Sequence, residues 1–251
     1  MFPILVKIGP FTIYTYGVLI ALGLFVALQY VLAITRKRGI DDGKIMDVVL
    51  VALLCGFAGA RLTYVLFNLR DYIAHPADIL KIWEGGLVFY GGFLSGALSA
   101  AAFVYYRKTM PAWELADILA PAIALAHVFG RLGCFAAGCC YGLPSNAPWA
   151  VTFSSSSCLA PTGVELHPSQ LYEAAGNFVM FIALDRMLRR PHKQGVVFGW
   201  YLFFYSVVRF AAEFFRGDER GGFVYRLSPG QIIAIAALIL SVVIIWRRKH
   251  V

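Results

Sequence analysis

Charge is what this sequence has least of. Only 14% of its 251 residues are Asp, Glu, Lys or Arg, against roughly 25% in a soluble domain, and that deficit excludes an ordinary water-soluble core. Short alternating apolar and polar segments are missing as well, which argues against a transmembrane β-barrel. No internal repeat is visible, so the inverted halves that mark many secondary transporters are not found. There is no low-complexity stretch and no Gly/Ser linker, and the chain is expected to form a single integral membrane domain over 1–251. The first apolar run ends on Arg36, Lys37 and Arg38 rather than on a small-residue cleavage site, which argues against a removed signal peptide.

What the sequence does have is apolar length. Hydrophobic residues make up 60% of it, gathered into runs that match the roughly 20 helical residues needed to cross about 30 Å of hydrocarbon. Seven such runs stand out, at about 13–35, 45–67, 86–106, 115–133, 169–188, 195–215 and 229–246. They are read as helices, because a lipid-exposed strand edge leaves backbone groups unpaired. The expected fold class is an all-α polytopic membrane helical bundle of about seven transmembrane helices, with residues 1–12 as a short interfacial segment. Lysine and arginine concentrate in 36–44, 106–109, 186–193 and 247–251. The positive-inside rule makes that side cytoplasmic, giving an N-out/C-in chain. The N-terminus, 68–85, 134–168 and 216–226 then face outward, with 134–168 as an extracytoplasmic cap. The net charge of +8 comes from the cytoplasmic anchors, and no nucleic-acid partner is expected.

Arg61, Asp117, Arg131, Glu173, Asp185, Arg209 and Glu213 lie within or at the rim of these runs. Each costs roughly 2.5–3.5 kcal/mol on insertion scales if unpaired in lipid. Asp185, beside Arg186 and Arg189, reads as a solvated helix end. Asp117 reads as a carboxylate suited to the dipole near the start of its own helix. Arg209 and Glu213 are four apart and share a face, Arg216 continues that helix, Arg131 ends another at the same expected depth, and HPSQLYE (167–173) opens a third. Salt bridging between helices without chemistry is one reading. A grip on an anion is the other, favoured by three converging guanidinium groups and a polar helix start. Guanidinium forks suit phosphate oxygens, and phosphate at that depth belongs to a phospholipid.

The stretch HVFGRLGCFAAGCCYG (127–142) carries Gly130, Gly133, Gly138 and Gly142, which allow either close helix packing or close approach of backbone to a ligand. Cys134, Cys139, Cys140 and Cys158 fall in the outward region, where oxidation is favoured, whereas Cys55 sits inside a run and reads as packing. A disulfide from GCCYG to Cys158, a strained vicinal bond and free thiols are the open alternatives. A metal site using these cysteines with His127 or His167 is a sharper one, but C-x4-C-C matches no common zinc spacing, so no metal is expected. A cysteine acting as a transient nucleophile has no support in the pattern.

Taken together, YTYGVLIALG (14–23), GARLTYVLF (59–67), WEGGLVFYGGFLSG (83–96), DILAPAIALAHVFGRLGCF (117–135), HPSQLYE (167–173) and RFAAEFFRGDE (209–219) resemble bacterial prolipoprotein diacylglyceryl transferases over nearly the whole chain. The resemblance implies a seven-helix enzyme of the bacterial inner membrane with its active site facing the outer leaflet. It implies transfer of the diacylglyceryl group of phosphatidylglycerol to the thiol of a lipobox cysteine in a prolipoprotein signal peptide, release of glycerol phosphate, and no cofactor. The family's functional residues fall on Tyr16, Arg131, Gly142, His167, Tyr205, Arg209, Glu213 and Arg216, with Gly130 and Gly133 inside the GR-x-G motif as further substrate-binding positions. In this reading Arg131 and Arg209 hold the phosphate, Glu213 fixes Arg209, and Tyr16 and Tyr205 hydrogen-bond headgroup or glycerol oxygens. His167 caps its helix or touches the headgroup.

The chain departs from the family pattern at three places. Tyr90 stands where a histidine is usual, Cys134 where an asparagine is usual, and Cys139 where an acidic residue is usual. His127, one helical turn before Arg131 on the same face, is the expected substitute base; Tyr90 remains a hydrogen-bond donor. Alternatives are a paralogue that uses the same phospholipid on another acceptor or has a redox-linked role, and, from another class, a membrane transporter.

Overall fold

The computed structural model describes residues 2–9, 11–81, 85–155, 157–218 and 227–250. Among these residues the chain is helical, with two short two-stranded ribbons. The helices are α1 (Thr15–Lys37), α2 (Asp42–Phe67), α3 (Leu69–Ala74), α4 (Phe89–Arg107), α5 (Ala112–Ala137), α6 (Ser169–Leu188), α7 (Val196–Glu213) and α8 (Pro229–His250). The strands are β1 (Ile4–Ile8) paired with β2 (Phe11–Tyr14), and β3 (Val151–Thr152) paired with β4 (Glu165–Leu166), both antiparallel. Helices α1, α2, α5, α7 and α8 are long and apolar enough to cross a membrane. Helices α4 and α6 fall on the other two expected runs; α6 carries Glu173, Asp185 and Arg186 within its length.

Contacts divide the chain into two compact units, one of Met1–Val31 with Ala116–Val251, the other of Leu32–Leu115. The second unit is built on small residues. A Cβ on Gly56 would meet the Gly92 carbonyl oxygen at 3.2 Å, one on Gly92 would meet the Gly56 carbonyl oxygen at 3.0 Å, and one on Gly96 would meet the Ala52 carbonyl oxygen at 3.0 Å. Helices α2 and α4 therefore touch backbone to backbone, the arrangement small residues permit where lipid removes any hydrophobic drive between helices. Asp41 caps α2 by accepting from the Lys44 N–H at 3.2 Å. Arg61 is only 7% exposed. Its Nε donates to the Ile79 carbonyl at 2.9 Å, Nη1 to those of Gly85 (2.7 Å) and Gly86 (3.1 Å), and Nη2 to those of Asp78 (2.6 Å) and Lys81 (3.3 Å). All five guanidinium N–H groups are thus used to hold the loop before α4, and the rings of Tyr64 and Tyr72 lie 5.8 and 5.4 Å from the guanidinium carbon.

In the first unit, Gly23 of α1 gives room to Phe129 of α5, Gly176 of α6 to Val208 of α7, and Gly199 of α7 to Ile245 of α8. Two carboxylates act differently from expectation or more fully. Asp117 does not serve its own helix: its Oδ2 accepts from the Gly195 N–H at 2.6 Å and its Oδ1 from the Phe198 N–H at 2.8 Å, so it caps α7. The unsatisfied amides of that helix start supply the attraction. Asp185 pairs with Arg189 at 2.7 Å as a helix-end carboxylate and also accepts from the Tyr30 hydroxyl at 2.7 Å.

Two boundaries differ from the sequence reading. The segment read as interfacial forms the β1–β2 hairpin, turning at Gly9 with φ +58°. Helix α5 extends to Ala137, past residue 134 where the outward segment was expected to begin; Phe135 in that extra turn packs edge-on against Phe153 at 6.1 Å. Beyond α5, Phe153, Ala160 and Leu166 form a small core flanked by Phe135, Tyr141 and Cys158. Trp83 and Glu84, and residues 219–226 of the expected outward loop, lie outside the described residues.

Candidate active site

Helix α6 is built inside out. Ser169, Gln170, Glu173 and Asn177 are all buried, at a spacing that puts Ser169, Glu173 and Asn177 on one face. A buried polar group ordinarily finds partners; the donors here do, while Gln170 Oε1 and Asn177 Oδ1 accept no hydrogen bond among the described residues. Ser169 Oγ donates to the Cys140 carbonyl and Gln170 Nε2 to the Cys139 carbonyl, each at 2.8 Å. The polar residues of HPSQ thus clamp the backbone of the CC pair. Glu173, 2% exposed, takes Arg131 of α5 on Oε2 at 2.8 Å and Arg216 on Oε1 at 2.9 Å. Arg216 also donates from Nε and Nη2 to Asp218, at 3.0 and 2.9 Å, and its Nε lies 4.0 Å from Glu213 Oε2. Glu213 Oε2 in turn faces Arg209 Nη1 at 2.8 Å.

Arg131, Arg209 and Arg216 therefore meet in one network with Glu173, Glu213 and Asp218. The Arg209–Glu213 contact is close but off the hydrogen-bond axis: Nη1 and Oε2 are buried without an aligned hydrogen bond among the described residues. Gly230, at the start of α8, packs directly on this pair; a Cβ there would collide with Arg209 Nη2 and come within 2.9 Å of Glu213 Oε2.

Gly142 threads between two elements. Leu143 N–H donates to the Phe215 carbonyl and His167 N–H to the Leu143 carbonyl, both at 2.9 Å, and Gly217 N–H donates to the Tyr141 carbonyl at 3.0 Å. A Cβ on Gly142 would lie 2.7 Å from His167 Cβ and 2.8 Å from the Phe215 carbonyl oxygen, so only glycine fits. Gly133 is the packing contact for α1, its missing Cβ 3.1 Å from the Tyr16 ring. Gly130 is not a packing contact: nothing lies within 4 Å of where its Cβ would be.

His167 does not cap α6; the cap position is Pro168, with no side-chain hydrogen bond. Its Nδ1 lies 3.1 Å from the Tyr172 hydroxyl, which accepts from Trp149 Nε1 at 2.6 Å, and its ring stands edge-on to Phe215 at 5.4 Å. His127 stacks on Tyr205 at 6.1 Å, and Tyr205 on Tyr201 at 6.1 Å. Tyr16 is 41% exposed and within electrostatic range of Arg131, Cys134, Cys139 and Cys140. Tyr90 is exposed near the start of α4, in the unit of Leu32–Leu115.

The thiols form no disulfide. Cys158 instead packs against Gly138 and Phe153, and Cys55, expected as packing, is exposed on α2. Past Ala137 the chain reverses through Gly138 (φ +73°) and Cys140 (φ +59°). The second is a left-handed conformation that is uncommon for a residue with a Cβ. The reversal brings Cys139 and Cys140 back over Cys134: the three sulfurs lie within 4.8 Å of one another, with Cys140 Sγ 4.0 Å from Cys134 Sγ. The Cys140 thiol is held below the ordinary thiol range by hydrogen bonds with Cys134 and Cys139, and Arg216 adds to this against the effect of burial.

Sequence reasoning singled out the arginines and Glu213 but gave Glu173, Ser169, Gln170, Asp218 and Gly230 no role. The signal for the first three was present, as polar residues at helical spacing in an apolar run. Asp218 lay in the quoted motif RFAAEFFRGDE without a role, and Gly230 carried no signal.

The described residues of this multi-pass membrane protein thus gather three guanidinium groups, from α5 and from α7 and the residues just after it, around buried carboxylates. The comparisons with known proteins give that class a family. Residues 3–247 match the family model described as prolipoprotein diacylglyceryl transferase. The chain is 36% identical to the phosphatidylglycerol–prolipoprotein diacylglyceryl transferase of Clostridium tetani, over 96% of both proteins. It is 35% identical to the same-named protein of Geobacter sulfurreducens, over 98% of this chain and 96% of the relative. It is 34% identical to a second such transferase of Clostridium perfringens, over 90% and 88%. The chain belongs to the prolipoprotein diacylglyceryl transferase family.

Proposed function

We propose that this chain transfers the diacylglyceryl group of phosphatidylglycerol to the cysteine thiol of prolipoprotein signal peptides, releasing glycerol phosphate. The names of its relatives supply donor and acceptor, and the observation that carries the reading is the network Arg131–Glu173–Arg216 with Arg209–Glu213 beside it. The acceptor sulfur attacks the glycerol carbon, the carbon–oxygen bond to phosphate breaks, and its electron pair stays on the phosphate oxygen. Arg131 and Arg209 stabilise the charge that develops there, an effect worth about 10²–10³ in rate for one positioned donor. Glu213 orients Arg209, and Glu173 holds Arg131 and Arg216 in register. Tyr16 and Tyr205 bind headgroup or glycerol oxygens. His167 and Gly142, with Gly130 and Gly133, shape the substrate-facing backbone. His127 takes the acceptor proton, and Tyr90 is a hydrogen-bond donor.

The same reading makes the chain one membrane domain of seven spans, N-out and C-in, in the bacterial inner membrane. The segment 134–168 then caps a site that opens toward the outer leaflet, within reach of a lipobox cysteine and the surrounding membrane lipids. The test is complementation of a strain depleted of its own diacylglyceryl transferase. Growth with the unchanged chain, and none with membrane-inserted Arg131→Ala or Arg209→Ala, is the expected result. Growth with both variants removes the phosphate assignment.

A further inference from the structure

The end of α5 and the start of α6 meet where Ser169 and Gln170 hold the CC backbone. A step back along α5 and a step forward along α6 therefore lead the same way. Four residues make about one turn, ~6 Å along either axis. Arg131 pairs with Glu173 at 2.8 Å. One turn on, the same ladder sets His127 against Asn177, and the Asn177 side chain lies within reach of the His127 imidazole. Asn177 is only 4% exposed, and its partners orient its amide. Nδ2 donates to the Glu173 carbonyl at 2.7 Å, and a carbonyl only accepts, so Oδ1 is the end left for the ring. That oxygen is buried with no aligned donor among the described residues. Hydrogen bonds around a catalytic base are often loose before substrate binds. Tyr205 stacks on the His127 ring at 6.1 Å, which leaves the ring edges, where both nitrogens lie, for hydrogen bonding.

Resting on the transfer reaction and the His127 base proposed above, we infer that Asn177 is the positioning residue for that base. Its Oδ1 accepts the N–H of one ring nitrogen and so keeps the other nitrogen bare to take the proton of the acceptor thiol. A neutral imidazole carries one N–H, and the hydrogen bond made by one nitrogen decides the state of the other. Without a fixed acceptor the N–H sits on either nitrogen, and part of the population presents a donor, not a base, to the thiol. The proton passes from sulfur to the bare nitrogen, the sulfur attacks the glycerol carbon and a carbon–sulfur bond forms. The carbon–oxygen bond breaks with its electron pair on the phosphate oxygen. The glycerol phosphate product then takes the proton from the ring. The ring returns to its starting tautomer because Asn177 holds the other N–H throughout.

The experiment uses the full chain in lipid nanodiscs with nitrogen-15 histidine, whose ring-nitrogen NMR shifts report the tautomer. The His127 signals are those lost in His127→Gln. One neutral tautomer is expected for His127 in the unchanged chain, and a mixture of two in Asn177→Leu, which keeps side-chain bulk and removes the acceptor. In transfer from phosphatidylglycerol to a cysteine-bearing signal peptide, Asn177→Leu should lower kcat at least ~10-fold, without exceeding the ~10²–10⁴-fold supplied by a general base, and leave the KM for phosphatidylglycerol unchanged. Asn177→Asp keeps an acceptor oxygen, so it should restore the single tautomer and transfer faster than Asn177→Leu. In the His127→Gln background Asn177→Leu should cost nothing further, the non-additivity of residues that act through one another. Two tautomers in the unchanged chain, a single tautomer that survives Asn177→Leu, equal slowing by the Leu and Asp variants, or the same slowing by Asn177→Leu with and without His127 would each overturn the inference. Each leaves the proposed function standing, because the unchanged chain still transfers. No transfer from phosphatidylglycerol by the unchanged chain would remove the proposed function, and the inference with it.

Discussion

Arg61 and Arg209 are both buried arginines in apolar helices, and they teach opposite lessons. Arg61 spends all five N–H groups on backbone carbonyls of its own unit. Nothing remains to bind a ligand, and its charge is solvated by carbonyl dipoles that organise a loop. Arg209 faces one carboxylate at 2.8 Å without an aligned hydrogen bond, linked through Glu213 to Arg216 and through Glu173 to Arg131. Its Nη1 has no aligned partner among the described residues. A charged residue in a membrane helix is a functional hypothesis by default, and the proposed function divides these two by the state of their donors rather than by their burial.

The largest expected effect breaks the two apart. Arg209→Ala should lower diacylglyceryl transfer by at least ~10²–10³-fold while the protein still inserts and melts near the unchanged chain. Arg61→Ala should do the reverse. It removes the charged donor that holds five carbonyls of the segment before α4, so it should lower thermal stability and yield, with a far smaller loss of turnover per folded molecule. Equal turnover losses in the two variants would erase the distinction.

Next in size is Glu173→Gln. It removes the charge that joins Arg131 to Arg216 but keeps a hydrogen-bonding side chain. Transfer should fall less than for Arg209→Ala, and the KM for phosphatidylglycerol should rise as the two guanidinium groups lose register. His127→Ala should slow transfer more than Tyr90→Phe, and the opposite order would remove His127 as the base. The glycine pair Gly142→Ala and Gly130→Ala is the finest test. The first collides with His167 and Phe215 and should destabilise the chain. The second meets open space and should keep or raise stability by up to about 1 kcal/mol, while lowering transfer because the methyl occupies ligand space.

Much of this architecture was legible in advance for a simple reason. Hydrophobic length is a one-dimensional signal, and all seven apolar runs became helices within a few residues of their expected limits. Arg209 and Glu213 were legible because a helix converts a spacing of four into contact. The bridging of Arg131 to Arg216 through Glu173 was not, since it depends on how α5, α6 and the end of α7 converge. Asp117 shows the same limit: its place in its own helix suggested a local role, yet its partners are the amides of α7. The cysteines show it most clearly, because a left-handed turn at Cys140 undoes the linear spacing on which motif reading depends.

The most direct measurement is the initial rate of transfer from labelled phosphatidylglycerol to a cysteine-bearing signal peptide, using the purified chain in nanodiscs. The account predicts thioether product from the unchanged chain and a rate at least ~10²-fold lower from Arg131→Ala and from Arg209→Ala. Product at the unchanged rate from both variants would contradict it.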